Sequence, residues 1–146
     1  MADPRRVCCP LLVLLALASL PGHALRAQEG SDEKPSLSLK ATPPLGFSPL
    51  RVRTVVDVRG GRDDYQDFYC AAVEWDWGDG TMSENASDCE PYQAGKSTIR
   101  RQFTADHVYR QRGSYRLVFR LKQKSKVVGL ASAQIQVRGM GEGGGG

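Results

Sequence analysis

Beyond residue 35, apolar and polar residues alternate with a period of two through most of the chain. Leu37, Leu39 and Ala41 alternate with Ser36, Ser38 and Lys40, as a strand with one buried face requires. Leu50, Val52, Thr54, Val56 and Val58 oppose Arg51, Arg53, Asp57 and Arg59, and Gly60-Gly61 ends that strand. A third strand sets Ala71, Val73, Trp75 and Trp77 against Cys70, Ala72, Glu74 and Asp76. It stops at Gly78-Asp79-Gly80, where glycine accepts positive φ at little steric cost. Ile99–Phe103 reads as a short, Arg-rich strand. Tyr115, Leu117, Phe119 and Leu121 alternate most clearly, opposed by Arg116, Val118, Arg120 and Lys122. In a last strand Ala131, Ala133, Ile135 and Val137 oppose Leu130, Ser132, Gln134 and Gln136.

The stretches between read as connections. Pro43-Pro44, Gly46 and Pro49 form a breaker-rich link, 62–68 a charged loop, 82–96 a long polar loop and 122–126 a Lys-rich turn. This predicts six or seven short strands and no amphipathic helix, an all-β chain. Two packed sheets fit better than a barrel, because the inward sets are bulky and of similar length. The polar segment 28–34 is expected to be a disordered lead-in to a domain over 35–138, and 139–146 a Gly-rich flexible tail.

The first 27 residues have the three parts of a cleavable secretory signal. Arg5 and Arg6 precede an apolar run, Val7–Leu20, broken only by Pro10 and Ser19, and Pro21-Gly22 ends it. Small residues offer cleavage after Ala24 or Ala27. The 14 positions of the run fall short of the roughly 20 of a membrane span. The expected location is therefore secreted, periplasmic or at the cell surface, with no stable membrane span in the mature protein. Cys8 and Cys9 precede the apolar run, whereas a lipid-attachment cysteine follows it.

The whole chain of 146 residues carries 20 Lys and Arg against 16 Asp and Glu. Without residues 1–27 these become 17 and 15, a net charge of +2. The signs are segregated: ten acidic residues stand against Arg59 and Arg62 over 57–90, and eleven basic residues against Asp106 over 96–138. Such polarity either steers an acidic partner or neutralises itself where the two halves meet in the fold.

Two blocks carry a family resemblance. Trp75-Asp76-Trp77-Gly78-Asp79-Gly80-Thr81 resembles the Trp-Asp-Phe-Gly-Asp-Gly-Thr signature of the polycystic kidney disease (PKD) domain. His107-Val108-Tyr109 followed by Gly113-Ser114-Tyr115 resembles that family's downstream His-x-Tyr and Gly-x-Tyr elements. The resemblance covers residues 35–138 and departs from the family in Trp77, which stands for a Phe, and in a cysteine within the 82–96 loop. It implies an immunoglobulin-like, PKD-type two-sheet sandwich, usually an extracellular module for protein–protein or protein–carbohydrate contact. The residues agree: Trp75 and Trp77 share a parity that takes both indoles inward, and Asp79 suits a tight turn's amides. The Tyr109 hydroxyl is placed to hold a loop corner.

Candidate chemistry is sparse. Signal removal leaves Cys70 and Cys89, a pair read as a disulfide in an oxidising compartment; Cys70 has the parity opposite Trp75, so the bridge is expected on the surface, clipping the 82–96 loop. Asp63, Asp64 and Asp67, with Glu74 or Asp76, offer oxygen to Ca²⁺, but their spacing matches no EF-hand loop, so a solvated acidic loop is the simpler reading. No metal or other cofactor is expected. His107 has no Gly-x-Ser-x-Gly elbow or second histidine of the mature chain beside it, which argues for a packed structural histidine and against an enzyme. Arg116, Arg120 and Lys122 share an outward parity that Arg100 could join from a neighbouring strand, extended by Lys124 and Lys126. That basic face is the candidate contact surface for an unidentified protein or acidic carbohydrate; edge lysines that keep the sheet from aggregating are the plainer account. Nucleic acid is disfavoured, since no exposed aromatics interleave with the cations. Asn85-Ala86-Ser87 reads as an N-glycosylation sequon, with chance occurrence the default. The functional expectation is an exported, non-catalytic interaction module; the alternative is a structural spacer of the envelope or matrix with no dedicated ligand.

Overall fold

The computed structural model describes residues 34–141. The expected signal segment, nearly all of the expected lead-in and most of the Gly-rich tail lie outside the described residues. Among the described residues, eight strands form two sheets: β1 (Ser36–Thr42), β2 (Leu45–Phe47), β3 (Leu50–Arg59), β4 (Ala72–Asp76), β5 (Met82–Asn85), β6 (Gln102–Tyr109), β7 (Gly113–Gln123) and β8 (Lys126–Arg138). One sheet has the order β1-β3-β6 and the other β2-β8-β7-β4-β5. The chain is an all-β, immunoglobulin-like sandwich, with β1 packed across β8.

Alternation places the core. Val52, Val56 and Val58 of β3 and Phe103 and Tyr109 of β6 face Leu117, Phe119 and Leu121 of β7 and Ile135 and Val137 of β8, all buried. Thr54 shares that inward parity and is fully buried; its Oγ1 donates to the Ala105 carbonyl at 2.9 Å, which satisfies a polar group that burial would otherwise penalise. Trp75 and Trp77 complete the interior at 5% and 2% exposure.

Two strands that the apolar alternation does not mark are present, and both lie at an edge of the five-stranded sheet. β2 falls in the Pro-rich link, between the cis bonds Thr42–Pro43 and Ser48–Pro49, and runs parallel to β8. Prolines are tolerated there because an edge strand needs only one of its two rows of hydrogen bonds. The link thus leaves the three-stranded sheet after β1, joins the other sheet as β2 and returns to the first as β3. β5 falls in the polar stretch 82–96 and pairs with β4; all four of its residues are exposed, so it bears no apolar alternation. β6 also differs from the Arg-rich strand expected over 99–103. It begins at Gln102 and runs through His107 to Tyr109, whereas Ile99 is buried ahead of it and donates its N–H to the Asp63 carbonyl.

The charged loop expected over 62–68 contains one 3-10 turn, Gln66–Phe68, whose Phe68 is buried. The segment after β5 docks on it: Tyr92 Oη donates to the Asp64 carbonyl at 2.7 Å, Gly95 N–H to the Asp64 carboxylate at 2.7 Å, and Tyr69 Oη to the Glu90 carbonyl at 2.9 Å. The Cys70–Cys89 disulfide closes the same region, with Cys89 exposed and Cys70 half-buried. It is a surface clip, outside the inter-sheet core. Its loop of 19 residues corresponds to roughly 3 kcal/mol of stabilisation in the chain-entropy account. The double variant Cys70→Ser/Cys89→Ser should lose about 2–4 kcal/mol in urea unfolding while keeping its β-sheet circular dichroism.

Candidate functional site

The two motif blocks converge at one end of the sandwich. Asp76 accepts from Gly78 N–H at 3.1 Å, and Asp79 accepts from Thr81 N–H at 3.0 Å and Thr81 Oγ1 at 2.6 Å. Trp77 N–H donates to the Thr81 carbonyl, closing the turn between β4 and β5. Gly78 is at φ +77°, and a Cβ there would lie 2.5 Å from the backbone oxygen of Arg116. The turn therefore packs directly on β7, which only glycine allows.

From the opposite sheet, His107 and Tyr109 reach this turn. His107 Nε2 lies 2.7 Å from Asp79 Oδ2, both side chains only 18% exposed, and the imidazole stacks on Trp77 at 4.5 Å. The Tyr109 hydroxyl donates to the Trp77 carbonyl at 2.9 Å and is buried. Ring contacts continue in both directions: Trp77 stacks on Trp75, Trp75 meets Phe119 edge-on, and Tyr109 stacks on Tyr115. The Tyr115 hydroxyl donates to the Gln111 carbonyl at 2.8 Å. A Cβ on Gly113 would come within about 3.0 Å of that ring, which is why glycine stands two positions earlier. The corner role expected of Tyr109 thus belongs to Tyr115, and Tyr109 joins the sheets instead.

Electrostatics follow from these bonds. Burial raises the Asp79 carboxyl, but the Thr81 and His107 hydrogen bonds outweigh it and hold the group below its ordinary value. Burial, with the Asp79 carboxylate adding to it, pushes the Tyr109 phenol up, so the hydroxyl stays a donor. His107 is clasped by a carboxylate and covered by an indole; the arrangement fastens two sheets.

The other sequence candidates are dispersed. Arg120 and Lys122 lie on the outer face of β7, but both bind Glu74, at 2.8 and 2.7 Å. Glu74 is held below its ordinary value chiefly by the Lys122 hydrogen bond, against burial, with Arg120 adding to the effect; Lys122 is raised in turn by Glu74. Arg120 also approaches Asp76, and Lys122 approaches Glu84. Arg100 does not come beside them. The strands flanking β7 are β4 and β8, whereas Arg100 precedes β6, covers the Phe103 ring and donates to the Gln102 carbonyl. The continuous stripe does not form: Arg116, Lys124 and Lys126 stay exposed, while Arg120 and Lys122 are compensated by acids from β4 and β5. The acidic loop is equally divided. Asp63 pairs with Arg101, and Asp64 is held down to about 2 by Arg62 and then by Gly95 N–H. Among the described residues, no group of three or more His, Cys, Asp or Glu is placed to hold a metal ion.

One cavity went unread in the sequence. A groove of about 440 Å³ opens between the free edges of β5 and β6, with Val73, Trp75 and Phe103 in its floor and Glu84, Asn85 and Arg100 among its rim residues. Cys70, Ser87 and Cys89 wall one end. Its residues come from three separate segments, so no local pattern marks it.

No family model matches the chain, and no curated protein matches it. Solved structures similar to it include the PKD domain of an M14-like peptidase from a Thermoplasmatales archaeon, at 11% identity, covering 71% of this chain and 96% of that one, with a TM-score of 0.48. Another is the CARDB domain of a Pyrococcus furiosus protein in complex with di-metal ions, at 16% identity, covering 72% and 88%, with a TM-score of 0.48. The chain is similar to PKD domains in its two motif blocks, which the fold interlocks at one end of a two-sheet sandwich.

Two outcomes follow. Tyr109→Phe should cost about 1–3 kcal/mol in chemical denaturation, because the Trp77 carbonyl loses its buried partner. Asp79, with its folded pKa lowered, stabilises fully above its ordinary value of 3.8. That contribution falls away as pH drops from there through the lowered folded value, since the unfolded chain binds the proton first. Asp79→Asn should therefore be less stable at pH 7 and show a shallower loss of stability in acid, read by thermal melts between pH 2 and 7.

Proposed function

We propose that this PKD-like sandwich is an exported, non-catalytic module that binds a protein or carbohydrate partner in the groove between β5 and β6. The groove itself supports this reading: an aromatic and aliphatic floor under a rim with Arg100 and Glu84 is the combination that binds by apolar contact and orients by a few polar groups. The Cys70–Cys89 bridge supports export, because such bonds persist in oxidising compartments. Among the described residues, no helix is long and apolar enough to cross a membrane. The charge-compensated face around Glu74 favours a second reading, a spacer without a dedicated ligand.

A glycan array and a pull-down from the native extracellular fraction separate the two. Arg100 is exposed and its contacts with Phe103 and Gln102 are local, so Arg100→Glu should lower the melting temperature only slightly while weakening any groove ligand by about tenfold, some 1.4 kcal/mol. Silence of the wild type in both assays would leave the spacer; a ligand that ignores Arg100→Glu would place contact elsewhere.

A further inference from the structure

Asn85 is the single asparagine among 146 residues, and Ser87 stands two positions on. With 16 Ser and Thr in the chain, chance would put one there about one time in nine. In the structure Asn85, Ala86 and Ser87 are all exposed. Asn85 ends β5, an edge strand of the five-stranded sheet, and its side chain makes no hydrogen bond among the described residues. Cys89, two residues beyond Ser87, joins Cys70, so the segment matures where disulfides form.

We infer that Asn85 is an N-glycosylation site, modified from a lipid-linked oligosaccharide pyrophosphate. The Asn85 amide nitrogen bonds to the anomeric carbon of the first sugar and gives up one proton. The bond from that carbon to the pyrophosphate oxygen breaks, and the lipid pyrophosphate leaves with the electron pair. The finished fold accommodates the product: Asn85 is exposed, and its pairing with Val73 puts it on the groove face of β5, so the sugar leaves from the rim of the groove. There it shields an edge whose unpaired backbone groups would otherwise recruit another strand. The sugar also narrows access to the groove from the β5 side, leaving the Arg100 side open. This inference rests on the export part of the preceding reading and is independent of any groove ligand.

The full chain is expressed in a glycosylating eukaryotic secretory host, once with residues 1–27 and once with a host signal in their place. Intact mass of the secreted protein is read before and after an amidase that releases N-glycans. The expected result is a mass above that of the polypeptide that collapses on treatment, with Asn85 converted to Asp, and no excess mass in Asn85→Gln or Ser87→Ala. Secretion of the wild type at the bare polypeptide mass from either signal would overturn the site. Failure of secretion with residues 1–27 alone would overturn the export signal, and the host-signal protein would still decide Asn85.

Discussion

The hydrogen bond from the buried Tyr109 hydroxyl to the Trp77 carbonyl, 2.9 Å long, is the constraint on which this sandwich depends. Two sheets packed face to face share apolar contact, which is strong but not directional. Tyr109 and the His107–Asp79 pair add direction at one end, where a turn of the five-stranded sheet is fastened to the last residues of β6 in the other. The Trp77 carbonyl has no partner in its own tight turn, so the bond satisfies a group that would otherwise be buried and unpaired. Rings in contact on either side, from Trp75 through His107 to Tyr115, leave the clasp little freedom to slide.

The same clasp fixes the only histidine of the described residues in place. Here one nitrogen meets Asp79, and the ring is covered by Trp77 and meets Tyr109 edge-on. Charge is spent in a similar way. The acidic half and the basic half of the sequence come together through Glu74, which gathers Arg120 and Lys122 onto itself. What the fold leaves open is the gap between the β5 and β6 edges, where neither sheet extends to cover the other.

Legibility followed the size of the inward side chains. β1, β3, β7 and β8 were readable because Leu, Val, Phe and Ile alternate with Arg, Lys, Ser and Gln over seven or more positions. β6 was only half readable, since its inward set beyond Phe103 is Ala105, His107 and Tyr109, two of them weakly apolar. β5 left no trace, because Met82 to Asn85 are exposed on every side and its pairing is held by backbone bonds, which any residue but proline can make. β2 was hidden by its flanking prolines, which signal a break whether or not three residues between them join a sheet. The docking of the 86–101 segment was marked only by Tyr92 and Ile99, apolar residues within a polar run. The exchange of roles between Tyr109 and Tyr115 had no local signature, as both precede or follow the same corner.

The order of residues by itself determined the all-β class, the inward faces of the long strands, the Gly78-Asp79-Gly80 turn and the pairing of Cys70 with Cys89. Each rests on local sterics, on a period of two or on the absence of any other partner. Tertiary structure alone decided which tyrosine joins the sheets, which cations are neutralised and where a groove opens. Those outcomes depend on residues tens of positions apart meeting across strand pairs and sheets, and the energy of such contacts belongs to the assembled geometry rather than to any stretch of chain.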